Sequence, residues 1–329
     1  MKSLVGLGSF LGRNFAVQPV SKPVLGDLAR VWVVGSGAVG KAVAATLPTT
    51  LNVTLVTEFP PNNNQVILKR TDGTAIQRDV DVISYSDMKS SVEKPVMAVV
   101  CRAVSTKDTV LSDLPKCTTV HVVNGVDGHK PLQGLLNRPV IRSVAQVGFV
   151  SKRDCVQETF NMKTFLGYNP VSHSGYSELG IQNDLSHAKL LLNRTFSNLE
   201  ISDRILEKAH QKAILNLSNL MTLNLFLNHP EQPKTYDQAK ENLSFLGGLY
   251  LEEMVAELCD LYQIRDVDQM TKDVLSYMDH PHMCSTIQQV FLQQKMPVDL
   301  FPDSKDKMPI VDGFNARLMK QSWGYLNGV

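Results

Sequence analysis

Ten consecutive residues constrain this chain more than any others: Val31-Trp32-Val33-Val34-Gly35-Ser36-Gly37-Ala38-Val39-Gly40. Four strand-forming residues run into glycines spaced G-x-G-x-x-G, and the helix-compatible Lys41-Ala42-Val43-Ala44-Ala45 follows at once. The stretch therefore reads as strand, tight turn and helix start. Gly35 makes the turn, Gly37 lets the main chain approach a diphosphate, and Gly40 lets helix and strand pack closely. Ser36, Ala38 and Val39 complete a loop whose N–H groups, at the first helical turn, face the anion. A second strand, Val53-Thr54-Leu55-Val56-Thr57, ends on Glu58, about 20 residues on, where dinucleotide sites carry an acid. The plainer alternative is a glycine turn in an α/β fold without its ligand.

The rest of the chain is compatible with that start. Its 329 residues suffice for two domains, and 43% hydrophobic with 20% charged residues describes a globular protein. No apolar run approaches the roughly 18 residues of a membrane span. A net charge of +1 gives no bulk argument for binding nucleic acid or anionic lipid. Five cysteines, odd in number and without a C-x-x-C pair, argue for free thiols. His280 and His282 lack neighbouring ligands and read as loop residues, so no metal is expected.

Residues 1–22 carry Lys2, Arg13 and Lys22 with no acid before Asp27, and Leu4, Leu7, Leu11 and Phe15 can share a helix face. This resembles a mitochondrial presequence, although Gly6, Gly8 and Gly12 weaken the helix. Mitochondrial localisation is the expectation, with an ordinary frayed tail and a cytoplasmic protein as the alternative. From 23 to 200 strands alternate with helices or loops in a Rossmann-type pattern. Val66 to Arg70 and the turn Thr71-Asp72-Gly73-Thr74 signal a hairpin. Val96 to Val100 ends at Cys101-Arg102, and Thr118 to Val123 ends at Asn124-Gly125. Ligands of such sheets bind beyond the carboxyl ends of the strands, where Gly35, Glu58, Arg102 and Asn124 all fall. Taken singly, Arg102 is equally a solvated loop charge and Asn124-Gly125 a plain turn. The strand pattern continues between 140 and 200, clearest at Lys163 to Tyr168. Residues 201–329 form an all-helical part, with a core-facing stripe at Leu251, Met254, Val255, Leu258 and Tyr262.

A helix is predicted from Ile205 to Phe226, and Lys208, Lys212, Asn216 and Asn219 form a polar stripe along it. A solvated face is the bland account of that stripe. The sharper one is a lysine donating a proton to an oxygen as hydride reaches the carbonyl carbon, its pKa lowered in a partly desolvated cleft.

At this point the chain resembles the ketopantoate reductase family from Val31 to Leu318. The resemblance is carried by Gly35 to Gly40, Thr71 to Thr74, Cys101-Arg102-Ala103, Asn124-Gly125, Lys212 to Thr222, Ser285 to Gln288 and Gly313-Phe314. It implies a Rossmann-type N-terminal domain, a helical C-terminal domain, and NADPH meeting a 2-oxo acid between them. Lys212 then matches the family's catalytic lysine and Asn216 the asparagine four residues on. Asn124 lies beside the nicotinamide, Arg102 stands where a basic residue lies near the cofactor, and Ser285 where a serine contacts substrate. Part of the family is dimeric, so a homodimer is a further expectation.

Three positions depart from the family. Eight residues after the lysine stands Leu220 rather than asparagine, with Asn219 one residue early as a substitute substrate contact. The family's substrate-holding carboxylate falls on Pro297 or Lys307, depending on the alignment, with Asp299 and Asp306 nearby but out of register. Glu58 repels a 2′-phosphate and favours a ribose hydroxyl, which leaves NADP and NAD both open. Two functions follow: an NAD(P)H-dependent reductase of a 2-oxo acid or related carbonyl, or an inactive relative acting as a mitochondrial binding protein on RNA or ribosomes. Against the second, no basic cluster is interleaved with aromatics.

Overall fold

A computed structural model of the chain describes residues 29–60, 64–92, 94–105, 107–168, 177–228, 248–278, 290, 294–296 and 308–327. The presequence-like stretch 1–22, His280, His282, Ser285, Pro297, Asp299, Asp306 and Lys307 lie outside them.

The fold is α/β with a helical second half. Strand β1 (Arg30–Val34) leads into helix α1 (Ala38–Thr46), and β2 (Asn52–Thr57) follows. Next come β3 (Gln65–Lys69), β4 (Ala75–Asp79), β5 (Asp81–Ser84), α2 (Tyr85–Ser90), β6 (Met97–Val100), α3 (Thr109–Ser112), β7 (Thr118–Val122) and α4 (Lys130–Leu136). The strands β8 (Ile141–Ser151) and β9 (Val156–Tyr168), helix α5 (Glu178–Leu192) and strand β10 (Leu199–Ile201) complete the sheet half. The described strands make one sheet in the order β4-β3-β9-β8-β7-β6-β1-β2-β5, with β10 beside β9. From β5 through β8 every neighbouring pair is parallel. Such strands are covered on both faces and are rich in buried apolar residues for that reason, with Thr54, Thr119, His121 and Arg142 among the buried polar exceptions. Val31, Val33, Val99 and Val120 pack under α1 and α5. Trp32, Val34, Val100 and Ala98 pack under Met88 of α2, Leu111 of α3 and Leu132 of α4.

The hairpin predicted around Asp72-Gly73 forms as antiparallel β3–β4, with Gly73 at φ +84 and the Thr74 amide donating to Asp72 Oδ1 at 2.9 Å. The strand pattern expected across 140–200 holds as far as Tyr168 and returns only at β10. Between the two lies α5, whose Leu185, Ala188, Leu191 and Leu192 are buried at helical spacing and whose N-cap Ser177 accepts from the Gly180 amide.

Among the described residues, helices alone follow β10: α6 (Ile205–Leu215), α7 (Leu217–Asn228), α8 (Gly248–Tyr262), α9 (Val267–Met278) and α10 (Pro309–Asn327). The single helix predicted over 205–226 is interrupted. At Asn216 the amide is shared between Lys212 O at 3.1 Å and Ala213 O at 3.2 Å, a tightened turn that ends α6 and starts α7. The stripe Leu251, Met254, Val255 and Leu258 is buried in a core shared with Leu217, Leu220, Met221 and Phe314, against which Tyr262 packs half-buried. Val144 and Phe165 of the long β8–β9 pair bury Ile205 and Ala209, which seats α6 on the sheet.

The glycine turn between β1 and α1 is where local sequence and packing meet. Gly35 has φ +110, a conformation that side chains other than glycine rarely adopt. A Cβ at Gly40 would sit 1.9 Å from Gly35 O, whereas one at Gly37 would meet nothing within 4 Å. Gly40→Ala is therefore expected to destabilise the fold by about 1–3 kcal/mol as helix and turn are pushed apart. Gly37→Ala is expected to cost no more than about 0.5–1 kcal/mol. Equilibrium urea unfolding of the two variants checks the contrast.

Candidate active site

The four parallel strands β2, β1, β6 and β7 lie side by side, so their carboxyl ends form one edge. Gly35 follows β1, Glu58 follows β2, Arg102 lies two residues past β6, and Asn124 two past β7. The structure thus brings these four sequence-predicted residues to one rim, in the place where open α/β sheets bind ligands.

At the β1 end the turn is fastened from beneath. The Gly35 amide donates to Val56 O at 2.8 Å, the Cys101 amide donates to Val34 O at 2.8 Å, and the hydroxyls of Ser36 and Thr57 are 2.7 Å apart. Gly37 is the N-cap of α1, and the open space over it leaves the first N–H groups of the helix approachable. This cradle fits a diphosphate: the donors are backbone, and no side chain fills the space. The two ends that flank it carry less positive charge than a bound phosphomonoester would call for. Glu58 is exposed, and among the described residues it has no hydrogen bond or ion pair. Arg102 is already engaged, its Nη2 paired with the carboxylate of the nearly buried Asp108 and its guanidinium 5.1 Å from the centre of the Tyr85 ring.

At the β7 end the helical half reaches the sheet. Lys212, in the last turn of α6, donates from Nζ to Asn124 Oδ1 at 3.0 Å and to the carbonyl of Ala145 in β8. The ammonium is thereby held between two elements more than 60 residues away in sequence, and one of its three N–H groups remains free to donate elsewhere. Burial, and secondarily the charge of Arg142, lowers the Lys212 pKa from 10.5 to about 8. That value leaves the lysine mostly protonated at neutral pH yet far readier to release its proton than a solvated lysine.

The other stripe residues do not join it. Lys208 donates to Gln211 Oε1 at 3.1 Å and lies 5.2 Å from the centre of the Phe165 ring. Asn216 sits in the turn between α6 and α7, and Asn219 is half-buried one turn on. Neither side chain hydrogen-bonds another described residue. Leu220, where the family resemblance calls for asparagine, is 2% exposed within the helical core.

Two polar residues beneath the site went unread in the sequence. His121 and Arg142 are register partners on β7 and β8 and face the same side of the sheet. His121 Nε2 is 3.0 Å from Arg102 O, and burial next to Arg142 lowers the histidine pKa from 6.5 to about 4. Arg142 is 1% exposed and donates from Nη2 to Gly125 O at 2.6 Å. A signal was present, since a histidine stands between Val120 and Val122 and an arginine follows Ile141 in buried strands, but nothing local shows that the two are neighbours.

Among the described residues no helix is long and apolar enough to cross a membrane, and no group of three or more His, Cys, Asp or Glu could hold a metal. No family model matches the sequence, and no curated protein matches it. Solved structures do match in shape. The 2-dehydropantoate 2-reductase of Methylococcus capsulatus superposes with a TM-score of 0.68 at 15% identity, over 90% of this chain and 97% of its own. D-mandelate dehydrogenase in a ternary structure with NADH and anilino(oxo)acetate gives 0.63 at 12%, over 91% and 99%. A dimeric ketopantoate reductase from Staphylococcus aureus gives 0.57 at 14%, over 90% and 99%. The chain has the fold of the ketopantoate reductases, as the sequence resemblance implied.

The buried His121 makes stability depend on pH with a fixed sign. Its folded pKa of about 4 lies below the ordinary 6.5, so the unfolded chain takes up a proton that the folded chain refuses. Its contribution is complete above pH 6.5 and is lost as the pH falls toward 4. Thermal melts across that range are expected to show a falling midpoint, and His121→Leu should flatten the fall.

Proposed function

We propose that the chain is a divergent member of the ketopantoate reductase family that reduces a 2-oxo acid with NAD(P)H, with Lys212 as the general acid. The observation that carries the proposal is the lysine bridge. An ammonium from the helical half stands at the strand end beside Asn124, its pKa lowered to about 8 and one N–H unused. Gly35 to Gly40 would hold the cofactor's diphosphate against the start of α1, with Asn124 beside the nicotinamide. When bound, the reduced nicotinamide supplies hydride to the carbonyl carbon.

Lys212 hydrogen-bonds the carbonyl oxygen through its free N–H and transfers that proton as negative charge develops on the oxygen. Asn124 Oδ1 and Ala145 O keep the nitrogen in place throughout, and solvent returns the proton afterwards. As the family resemblance implies, Asn216 would assist Lys212, and Asn219 and Ser285 would contact the rest of the substrate; Asn216 sits in the turn that ends α6. Glu58 and the Arg102–Asp108 pair favour NADH over NADPH, since a 2′-phosphate would meet an unpaired carboxylate and a neutralised arginine. The basic, acid-free composition of residues 1–22 supports a mitochondrial site of action.

Lys212→Ala is expected to slow reduction of a 2-oxo acid by about a hundredfold or more while changing cofactor affinity little. An unchanged rate removes the lysine from the chemistry. Parallel fluorescence titrations with NADH and NADPH test the cofactor site. Gly37→Val should abolish binding of both, and Glu58→Gln should improve NADPH relative to NADH by about five- to tenfold.

A further inference from the structure

Arg142 is a buried cation without an adequate partner. It is 1% exposed, its Nη2 donates to Gly125 O at 2.6 Å, and its Nε and Nη1 have no hydrogen-bond acceptor. An arginine cannot escape this by losing its proton, and buried charges are ordinarily paired. The groups around it are mostly basic. They are His121 on β7, His129 and Asp127 in the loop after β7, and His210 and Lys212 on α6, with Tyr262 of α8 stacked on His210 at 4.4 Å between ring centres. Among the described residues Asp127 is the one acid that acts on it, and that carboxylate also pairs with Lys130 at 2.8 Å. A fold gains nothing in stability from such a cation, so its value lies in what it does to its neighbours.

Its single hydrogen bond falls at a telling place. Gly125 has φ +87 and follows Asn124, whose side-chain oxygen receives the Lys212 ammonium at 3.0 Å. We propose that Arg142 is a positioning residue for Lys212: from behind the Asn124–Gly125 turn it fixes the asparagine that receives the lysine, and its charge sets the field around the ammonium. This rests on the reading of Lys212 as the proton donor. The chemistry is that of a lysine activated by a neighbouring cation, which disfavours the charged form and readies the proton for release. Among the described residues Arg142 is the charged side chain that acts on the lysine.

The test reads Lys212 directly and needs no turnover. The purified full chain is acylated competitively with trace acetic anhydride between pH 6 and 11, and Lys212 reactivity is followed by peptide mass spectrometry with Lys208 as internal reference. The wild-type midpoint is expected at about 8. In Arg142→Met it should rise by about half a pH unit, since burial, the larger cause of the lowering, stays in place. Arg142→Gln keeps a donor for Gly125 but not the charge, and should show the same rise, so it answers the question if the methionine variant does not fold. An unchanged midpoint in a folded neutral variant overturns the proposal. Where the wild type turns over, the same variants should lower kcat more than they raise KM and move the alkaline limb of the kcat profile upward. A midpoint that rises in a chain without reductase activity would leave the positioning role standing and overturn the reductase reading alone.

Discussion

A lysine ammonium withdrawn from water must find acceptors, and Lys212 finds them just past the end of one strand and along the next. Asn124 stands past β7 and Ala145 lies within β8, while the lysine itself comes from α6. The geometry asks three things of the fold. Strands β7 and β8 must run parallel with Val122 opposite Ser143, so that Ala145 lies alongside the turn after β7; α6 must be seated on β8–β9, which the Val144, Phe165, Ile205 and Ala209 contacts achieve; and the turn after β7 must hold its shape. The tightened turn at Asn216 follows directly, ending α6 one residue turn after the lysine and letting α7 diverge into the helical core.

The other half of the rim obeys a different rule. Around Gly35 to Gly40 the donors are backbone groups, held by contacts so close that Gly40 admits no side chain. Glu58 and Arg102, which flank that cradle, give no net attraction for an extra phosphate: among the described residues Glu58 has no partner, and Arg102 is already paired with Asp108. The rim thus combines an uncharged cradle at β1 with a cationic end at β7, where Lys212 and Arg142 stand. A ligand with a central diphosphate and an electrophilic carbonyl partner would match that polarity along its length.

Much of this was legible in the residues because the relevant signals are local. The fingerprint, the acid after the second strand, the Asp72-Gly73 hairpin and the alternation of apolar strands each lie within a dozen residues. What escaped depends on contacts distant in sequence. Helix α5 was missed because Glu178–Leu192 has a mixed polar composition and follows two long strands, and only its burial against the sheet reveals its period. The interruption at Asn216 was missed because an unbroken 3.6-residue pattern and a tightened turn differ by a single shared amide. Arg142 and His121 were passed over because neither forms a motif, and their pairing exists only in the register of β7 against β8. Lys212 stood out in the sequence as part of a polar stripe, but its partner at Ala145 did not, since no spacing rule connects the two.

The most direct test of the account follows the hydrogen itself. The full chain would be incubated with NADH carrying deuterium on both C4 positions and a panel of branched 2-oxo acids, and the products analysed by mass spectrometry. Reductase chemistry at this rim predicts a 2-hydroxy acid with a single deuterium on C2 and none on its hydroxyl after exchange into water. A chain that binds the cofactor yet yields no deuterated hydroxy acid from any of them would contradict it, and would leave the lysine bridge a structural fastening between sheet and helices.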